Sequence, residues 1–186
     1  NAISSRVAQT DWSKPDIRGG YIWHTTGSGK TMTSFKSAQL IATSKDADKV
    51  IFLMDRIELG TQSLREYRGF SDDGQSVQAT EDTYVLINKL KSKDPADTLI
   101  VTSIQKMSNI EADEEGLNTH DLEVMRSKRI VIIVDEAHRT VFGDTMLPTI
   151  RHTFPNAVFF GFTGTPIQKE NNRKDSDTST IFGDEL

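Results

Sequence analysis

Five short apolar runs, separated by longer and more polar segments, constrain the fold of this sequence most. Hydrophobic residues fill consecutive positions in each run, whereas a strand with one solvated face would alternate apolar and polar residues. Strands of this kind are buried on both faces, which is typical of a parallel sheet. The runs are 21–23, 50–54, 98–101, 130–134 and 157–160. A length of 186 residues fits one ordinary domain built around such a sheet.

Between the runs, apolar residues recur at helical spacing. Strands that alternate with helices predict an α/β fold in three layers, with a mostly parallel central sheet covered by helices on both faces. In such folds ligands bind at the carboxyl ends of the strands. The three helical sets are Met32, Phe35, Ala38 and Ala42; Ile57, Gly60, Leu64 and Tyr67; and Tyr84, Ile87 and Leu90.

Polar segments at both ends of the sequence indicate where the domain begins and ends. We interpret residues 1–18 as a lead-in segment, residues 19–168 as the domain, and residues 169–186 as a polar loop or connector. The chain starts at Asn1 and stops just after a polar stretch, so we expect it to be a piece of a larger protein.

Composition excludes several classes of function. The chain has no cysteine, which excludes a disulfide scaffold, a cysteine nucleophile and thiolate-bound metals. No apolar run is long enough to span a bilayer and no signal peptide begins the chain, so we expect a cytoplasmic domain with no membrane contact. The net charge of −5 argues against a free-standing nucleic-acid binder.

Acidic residues concentrate between Lys106 and Arg126, with no basic side chain among them. This run predicts a solvated loop that faces away from any phosphate backbone. Its members are Glu111, Asp113, Glu114, Glu115, Asp121 and Glu123.

A candidate phosphate-binding loop directly follows the first apolar run. Glycines within it allow a tight turn whose backbone N–H groups point at phosphate oxygens, and the following helix adds the positive end of its dipole. Lys30 would reach the β- and γ-phosphates, and the Thr31 hydroxyl would hold Mg²⁺. His24 replaces the first glycine of the P-loop pattern. The predicted ATP-binding residues are Thr26, Gly27, Ser28, Gly29, Lys30 and Thr31.

A second candidate half of the site follows the fourth run, as Asp135-Glu136-Ala137-His138. A buried strand that ends in two acids suits a Mg²⁺–ATP site, with Asp135 at the metal and Glu136 as the general base for the attacking water. His138 has two open interpretations, a sensor of the nucleotide or a structural histidine.

The paired motifs resemble the first RecA-like domain of a superfamily 2 helicase or translocase. Asp55-Arg56, with Leu59 and Gln62, resembles motif Ia, and residues 102–106 resemble motif Ib. Residues 161–166, which end in Thr-Gly-Thr-Pro, resemble motif III. Within this superfamily, residues 19–31, 135–140 and 161–167 are most similar to the motor (R) subunit of type I restriction–modification enzymes. That family also carries Trp-His at the position of Trp23-His24.

The resemblance implies a subunit that hydrolyses ATP, with Mg²⁺, to move double-stranded DNA, in complex with modification and specificity subunits. It implies further parts of the same chain, a second RecA-like domain and a nuclease domain. It also assigns roles to individual residues. Lys30, Asp135 and Glu136 would be catalytic, His138, Thr163 and Thr165 would couple nucleotide state to movement, and Arg56, Thr102, Gln105 and Lys106 would contact the DNA backbone.

Three other functions remain open from sequence. The domain could come from another superfamily 2 helicase or restriction translocase, it could be a P-loop small-molecule kinase, or it could be a nucleotide-binding module without turnover. The Asp-Glu-Ala-His and Thr-Gly-Thr-Pro motifs argue against a kinase, and the retained Glu136 argues against a module without turnover. An adenine-reading glutamine should lie upstream of the loop, where Gln9 is a weak candidate. We expect weak or no hydrolysis from this part alone, because the second RecA-like domain completes the site.

Overall fold

The computed structural model describes residues 2–14, 19–24, 30–54, 82–111, 117–135, 145–164 and 182–186, and for Lys30 and Thr31 it describes the backbone only. In chain order, this part contains the following elements: α1 (Ala2–Ala8), β1 (Gly20–Trp23), α2 (Lys30–Ser44), β2 (Lys49–Met54), α3 (Thr83–Lys91), a 3₁₀ turn (Pro95–Asp97), β3 (Leu99–Ser103), α4 (Ile104–Ser108), α5 (Thr119–Arg126), β4 (Ile130–Val134), α6 (Met146–Thr153) and β5 (Val158–Thr163).

The five strands form one sheet in the order β1-β5-β4-β2-β3, and every neighbouring pair is parallel. The predicted α/β fold is therefore confirmed, and each of the five apolar runs forms a strand. Every residue of β2, β4 and β5 is buried, as expected for strands covered on both faces. Because all strands run the same way, their carboxyl ends share one edge of the sheet.

Two hydrophobic clusters cover the two faces of this sheet. On one face, Phe35, Ala38 and Ile41 of α2 pack with α1 against alternate strand residues such as Val131 and Ile133. On the other face, α3, α4, α5 and α6 pack against the strand residues that alternate with these. From β4 they are Ile130, Ile132 and Val134. The structure therefore has the three layers that the sequence predicts.

The helical spacing of apolar residues predicts where the helices lie better than it predicts which of their residues are buried. The first and third apolar sets lie in α2 and α3, whereas residues 57–67 lie outside the described part of the chain. Met32 and Tyr84 are exposed, although the spacing places both on buried faces. Each lies in the first turn of its helix, where the side chain extends beyond the core. None of the described helices is long and apolar enough to cross a bilayer.

The segment interpreted as a lead-in contains a helix with a buried side. Ile3 and Val7 are spaced four residues apart, so both face the core beside Phe35. The apolar pair is short and lies among polar residues, which is why composition alone indicates a lead-in. The predicted domain boundaries remain a prediction.

Residues 182–186 lie along the outer edge of β1. The backbone N–H of Tyr21 donates to the carbonyl of Asp184 at 3.0 Å, and the N–H of Leu186 donates to the carbonyl of Tyr21 at 3.0 Å. Phe182 is fully buried, and its ring lies where Gly161 of β5 leaves room, since a Cβ on Gly161 would be 2.9 Å from the Phe182 ring. The end of the chain is thereby bound to both β1 and β5.

Two lysines at the opposite, amino edge of the sheet bind backbone carbonyls. Lys49 is 2% exposed and donates to the carbonyl of Asp97 at 2.7 Å. Lys128 donates to the carbonyls of Lys91 and Ser92, at 2.9 and 2.7 Å, and so binds the end of α3. Burial, together with the nearby charge of Lys128, lowers the pKa of Lys49 to about 8, against the opposing effect of Asp97 and other acids.

Two described residues of the acidic run form ion pairs with distant basic residues. Asp121 lies in α5 and pairs with Lys91 at 3.0 Å. Glu111 pairs with Arg126 at 2.9 Å, although no basic residue is its neighbour in sequence. The expectation of a loop is therefore wrong for Asp121, which lies in a helix, whereas Glu111 lies in a turn; helix packing brings a distant cation to each. Residues 112–116 lie outside the described part of the chain.

The contact between Gly161 and Phe182 gives a test of how the chain end is bound. We expect Gly161→Ala to lower the free energy of unfolding by about 1–3 kcal/mol, because the new methyl group overlaps the ring. Phe182→Ala should cost about 3–5 kcal/mol on its own. In the double variant the overlap is gone, so the loss should be smaller than the sum, as measured by denaturant unfolding. Additive losses would show that the two residues do not interact.

The lowered pKa of Lys49 predicts how stability changes at alkaline pH. The unfolded chain keeps this proton up to about pH 10.5, whereas the folded chain releases it near pH 8. The unfolded state therefore binds more protons in this range, and the free energy of unfolding should rise with pH, by at most about 3 kcal/mol. Lys49→Met should flatten the rise in unfolding experiments from pH 7.5 to 10.5, whereas Lys89→Met, a partly exposed control in α3, should not.

Candidate nucleotide site

The predicted site residues that the structure describes lie along the carboxyl edge of the sheet. Strand order places the end of β5 between the ends of β1 and β4, and pairing aligns Trp23 with Thr163. Adjacent strands are about 4.8 Å apart, so Asp135 lies roughly 10 Å from the end of β1. That distance is comparable to the length of a triphosphate with its metal ion. The end of β3 lies further along the same edge, beyond β2.

Asp135 follows directly after β4, and sheet pairing fixes its backbone. Its N–H donates to the carbonyl of Leu53 in β2 at 3.2 Å, so the parallel ladder continues one residue past the strand. The residue is only 4% exposed. Burial of a carboxylate is costly unless cations or hydrogen-bond donors compensate its charge, so this position suits a carboxylate that binds a cation.

The helix that follows the candidate phosphate loop starts where the sequence predicts it. Lys30 is the first residue of α2, and the 15-residue helix runs to Ser44 along one face of the sheet. Its amino end therefore lies at the carboxyl edge, next to the end of β1. Free N–H groups and the helix dipole make such an end favourable for an anion.

The end of β1 is bonded to the end of β5 by two hydrogen bonds. The backbone N–H of His24 donates to the carbonyl of Thr163 at 2.9 Å. The indole N–H of Trp23 donates to the carbonyl of Gly164 at 3.0 Å. The Trp23 side chain was not among the residues selected from the sequence. The available signal was an aromatic residue that ends an apolar run directly before the loop.

The predicted DNA-contact segment lies at the far end of the edge. Ser103 ends β3 and caps α4, since its hydroxyl accepts a hydrogen bond from the N–H of Lys106 at 3.3 Å. Gln105 and Lys106 are partly exposed in this short helix, whereas Thr102 is fully buried in β3. Contact of the Thr102 hydroxyl with a DNA backbone is thus not available in this conformation, and the partly exposed candidates are Gln105 and Lys106.

Several predicted residues lie outside the described part of the chain. They are Thr26, Gly27, Ser28, Gly29, Arg56, Glu136, His138 and Thr165. Their roles stay predictions. Thr163 is described and is fully buried at the end of β5, and Gln9 is exposed just after α1.

The described donors fit Mg²⁺–ATP in chemistry. Asp135 supplies a buried carboxylate oxygen, the type of ligand that Mg²⁺ prefers. The amino end of α2 suits the phosphates. Mg²⁺ needs only one or two carboxylates from the protein, since phosphate and water supply its other ligands.

The fold resembles that of helicase domains in solved structures. The chain superposes with a TM-score of 0.58 on a nuclease-deletion mutant of the Type ISP restriction–modification enzyme LlaGI in complex with a DNA substrate mimic, at 20% identity over 91% of this chain and 18% of that one. It superposes on the Hef helicase domain from Pyrococcus furiosus with a TM-score of 0.54, at 21% identity over 86% of this chain and 32% of that one. The chain therefore has a RecA-like fold.

Sequence comparison gives the family. The family model of the SWI2/SNF2 ATPase matches residues 1–186, and the chain therefore belongs to the SWI2/SNF2 ATPase family. The Type I restriction enzyme SsaAORF53P endonuclease subunit of Staphylococcus saprophyticus is 47% identical over 166 residues, which are 88% of this chain and 17% of that subunit. The Type I restriction enzyme HindI endonuclease subunit of Haemophilus influenzae is 31% identical over 97% of this chain and 18% of the subunit. The chain thus spans less than a fifth of these relatives' length.

The cap of α4 can be tested by mutation. We expect Ser103→Ala to lower the free energy of unfolding by about 1 kcal/mol, because the N–H of Lys106 loses its acceptor in a partly buried position. Ser127→Ala is the matched control, since Ser127 is an exposed serine at the end of α5 and its loss should cost less than about 0.5 kcal/mol. Equal effects in urea unfolding would argue against the cap.

Proposed function

We propose that this domain is the ATP-binding half of an ATP-dependent double-stranded DNA translocase that belongs to a type I restriction endonuclease. The observation that carries the proposal is the position of Asp135. This buried carboxylate lies on the sheet edge at which α2 begins, and the strand before it, β4, is two strands away from β1. Membership of an ATPase family and relatives among restriction endonuclease subunits support it.

In this proposal the residues of the edge divide the work of ATP hydrolysis. The loop 25–29 and the amino end of α2 bind the phosphates, and Lys30 and Thr31 hold the β- and γ-phosphates and the metal together with Asp135. When bound, Mg²⁺ offsets the negative charge of the phosphates. Glu136 follows Asp135 in sequence and would accept a proton from the attacking water.

The two ends of the edge would serve different ligands. ATP would lie over β1, β5 and β4, whereas the backbone of DNA would contact Gln105 and Lys106 after β3, and Arg56 after β2. Buried Thr163, together with Thr165 and His138, would relate the state of the nucleotide to that of the DNA-contact segments. Contacts to phosphates alone set position and carry no sequence specificity.

The whole protein's activity would depend on parts beyond this domain. Since the chain spans 17% of the restriction endonuclease subunit that it resembles at 47% identity, we propose a second RecA-like domain that completes the ATP site and a nuclease domain in the same polypeptide. Modification and specificity subunits would then supply the recognition of a DNA sequence. The alternative that best matches the family is another helicase-type translocase, which would turn over ATP without these partners.

Nucleotide binding and turnover test the proposal separately. We expect a fluorescent ATP analogue to bind in the presence of Mg²⁺, and Lys30→Ala to weaken binding by about tenfold or more, because a charge-assisted phosphate contact is lost. Lys36→Ala, a lysine in the same helix, should change the Kd by less than about twofold. Binding that ignores both Mg²⁺ and Lys30→Ala would contradict the assigned phosphate site.

Turnover requires the full-length protein. There we expect Glu136→Gln to bind nucleotide normally and to lose about 100-fold or more in DNA-stimulated kcat, since a general base is removed. Unchanged turnover in this variant would exclude the assigned mechanism. Translocation without a need for modification and specificity subunits would favour the alternative.

A further inference from the structure

Trp23 is a large aromatic side chain at the end of β1 that remains 53% exposed. The residue before it, Ile22, packs against the core cluster that contains Phe35 and Phe160. Burial of the ring therefore does not account for a tryptophan at this position. Tryptophan differs from the aliphatic residues and from phenylalanine in its indole N–H, which can only donate a hydrogen bond.

That N–H donates to the carbonyl of Gly164, at 3.0 Å and across 141 positions of sequence. The second bond between the same segments, from the N–H of His24 to the carbonyl of Thr163, continues the parallel pairing of β1 with β5. Any residue except proline could supply that backbone bond. The bond to Gly164 needs a side-chain donor of this length, and so it depends on the identity of residue 23.

The two residues joined by the indole bond each lie just before a segment to which the proposed function gives a role. Trp23 and His24 come directly before residues 25–29, the predicted phosphate loop, and Gly164 comes directly before Thr165, a predicted coupling residue. Trp23 and Thr163 are the last residues that pair in the sheet. The indole thus bonds to the strand end of β5 one residue beyond this pair, at Gly164.

We propose that Trp23 is a positioning residue for ATP hydrolysis, which holds Thr163 and Gly164 at the end of β5 against the end of β1 through its bond to Gly164. This proposal rests on the proposed function. Trp23 does not need to contact the nucleotide for this role.

Trp23→Phe in the full-length protein is the direct test, because it keeps an aromatic ring and removes the donor. A single, partly exposed hydrogen bond adds little to stability, so we expect the Tm to change by less than about 2 °C. The KM for ATP should stay within about twofold, since the phosphate contacts remain. The DNA-stimulated kcat should fall by about fivefold or more, whereas the rate without DNA should change less. Trp12→Phe, the other tryptophan of the chain, is the matched control.

Each other outcome overturns the proposal. A normal DNA-stimulated kcat in Trp23→Phe would show that the bond has no role in coupling. A lower Tm with an equal loss in both rates would show that Trp23 has a structural role instead. A wild-type protein without Mg²⁺-dependent ATP turnover would overturn the proposed function as well, and so the two failures can be told apart.

Discussion

The burial of β4 on both faces is the constraint on which the rest of this structure depends. Ile130, Ile132 and Val134 face one hydrophobic cluster, and Val131 and Ile133 face the other. A strand of this kind needs a layer of helices on each side, so the chain must cross over after each strand and return in the same direction. All carboxyl ends then share one edge, and Asp135 is placed there by the sheet rather than by its own loop. The candidate site is in this sense a consequence of the core.

Much of the fold could be predicted from sequence, since consecutive apolar residues mark doubly buried strands without reference to the rest of the chain. Helical spacing likewise located α2 and α3, but it did not show where the core ends. Met32 and Tyr84 satisfy the spacing and are nevertheless exposed, because the first turn of a helix that reaches the sheet edge has no strand beneath it. The phosphate loop and the acidic pair could be proposed from sequence because the residues of each motif are contiguous, and their roles stay predictions.

Features that join distant segments could not be predicted in the same way. Asp121 is bound by Lys91, Glu111 by Arg126 and the indole of Trp23 by Gly164, and no local pattern indicates these partners. In the sequence, Lys49 directly precedes an apolar run, and nothing nearby indicates that it is buried. Its position is explained by the distant carbonyl of Asp97, to which it donates a hydrogen bond. The interpretation of the acidic run as a solvated loop failed at Asp121 for this reason, since a charge run shows which residues need partners but not which partners they find.

The pairing of residues 182–186 with β1 has a consequence for the behaviour of the protein in solution. β1 is the last strand on its side of the sheet, and a strand edge with unpaired backbone groups can accept a strand from another molecule and so start aggregation. Here both outward-facing backbone groups of Tyr21 are taken by Asp184 and Leu186. The five residues therefore protect this edge from edge-to-edge association, and a chain cut before Phe182 would expose unpaired backbone groups of β1 beside the candidate nucleotide site.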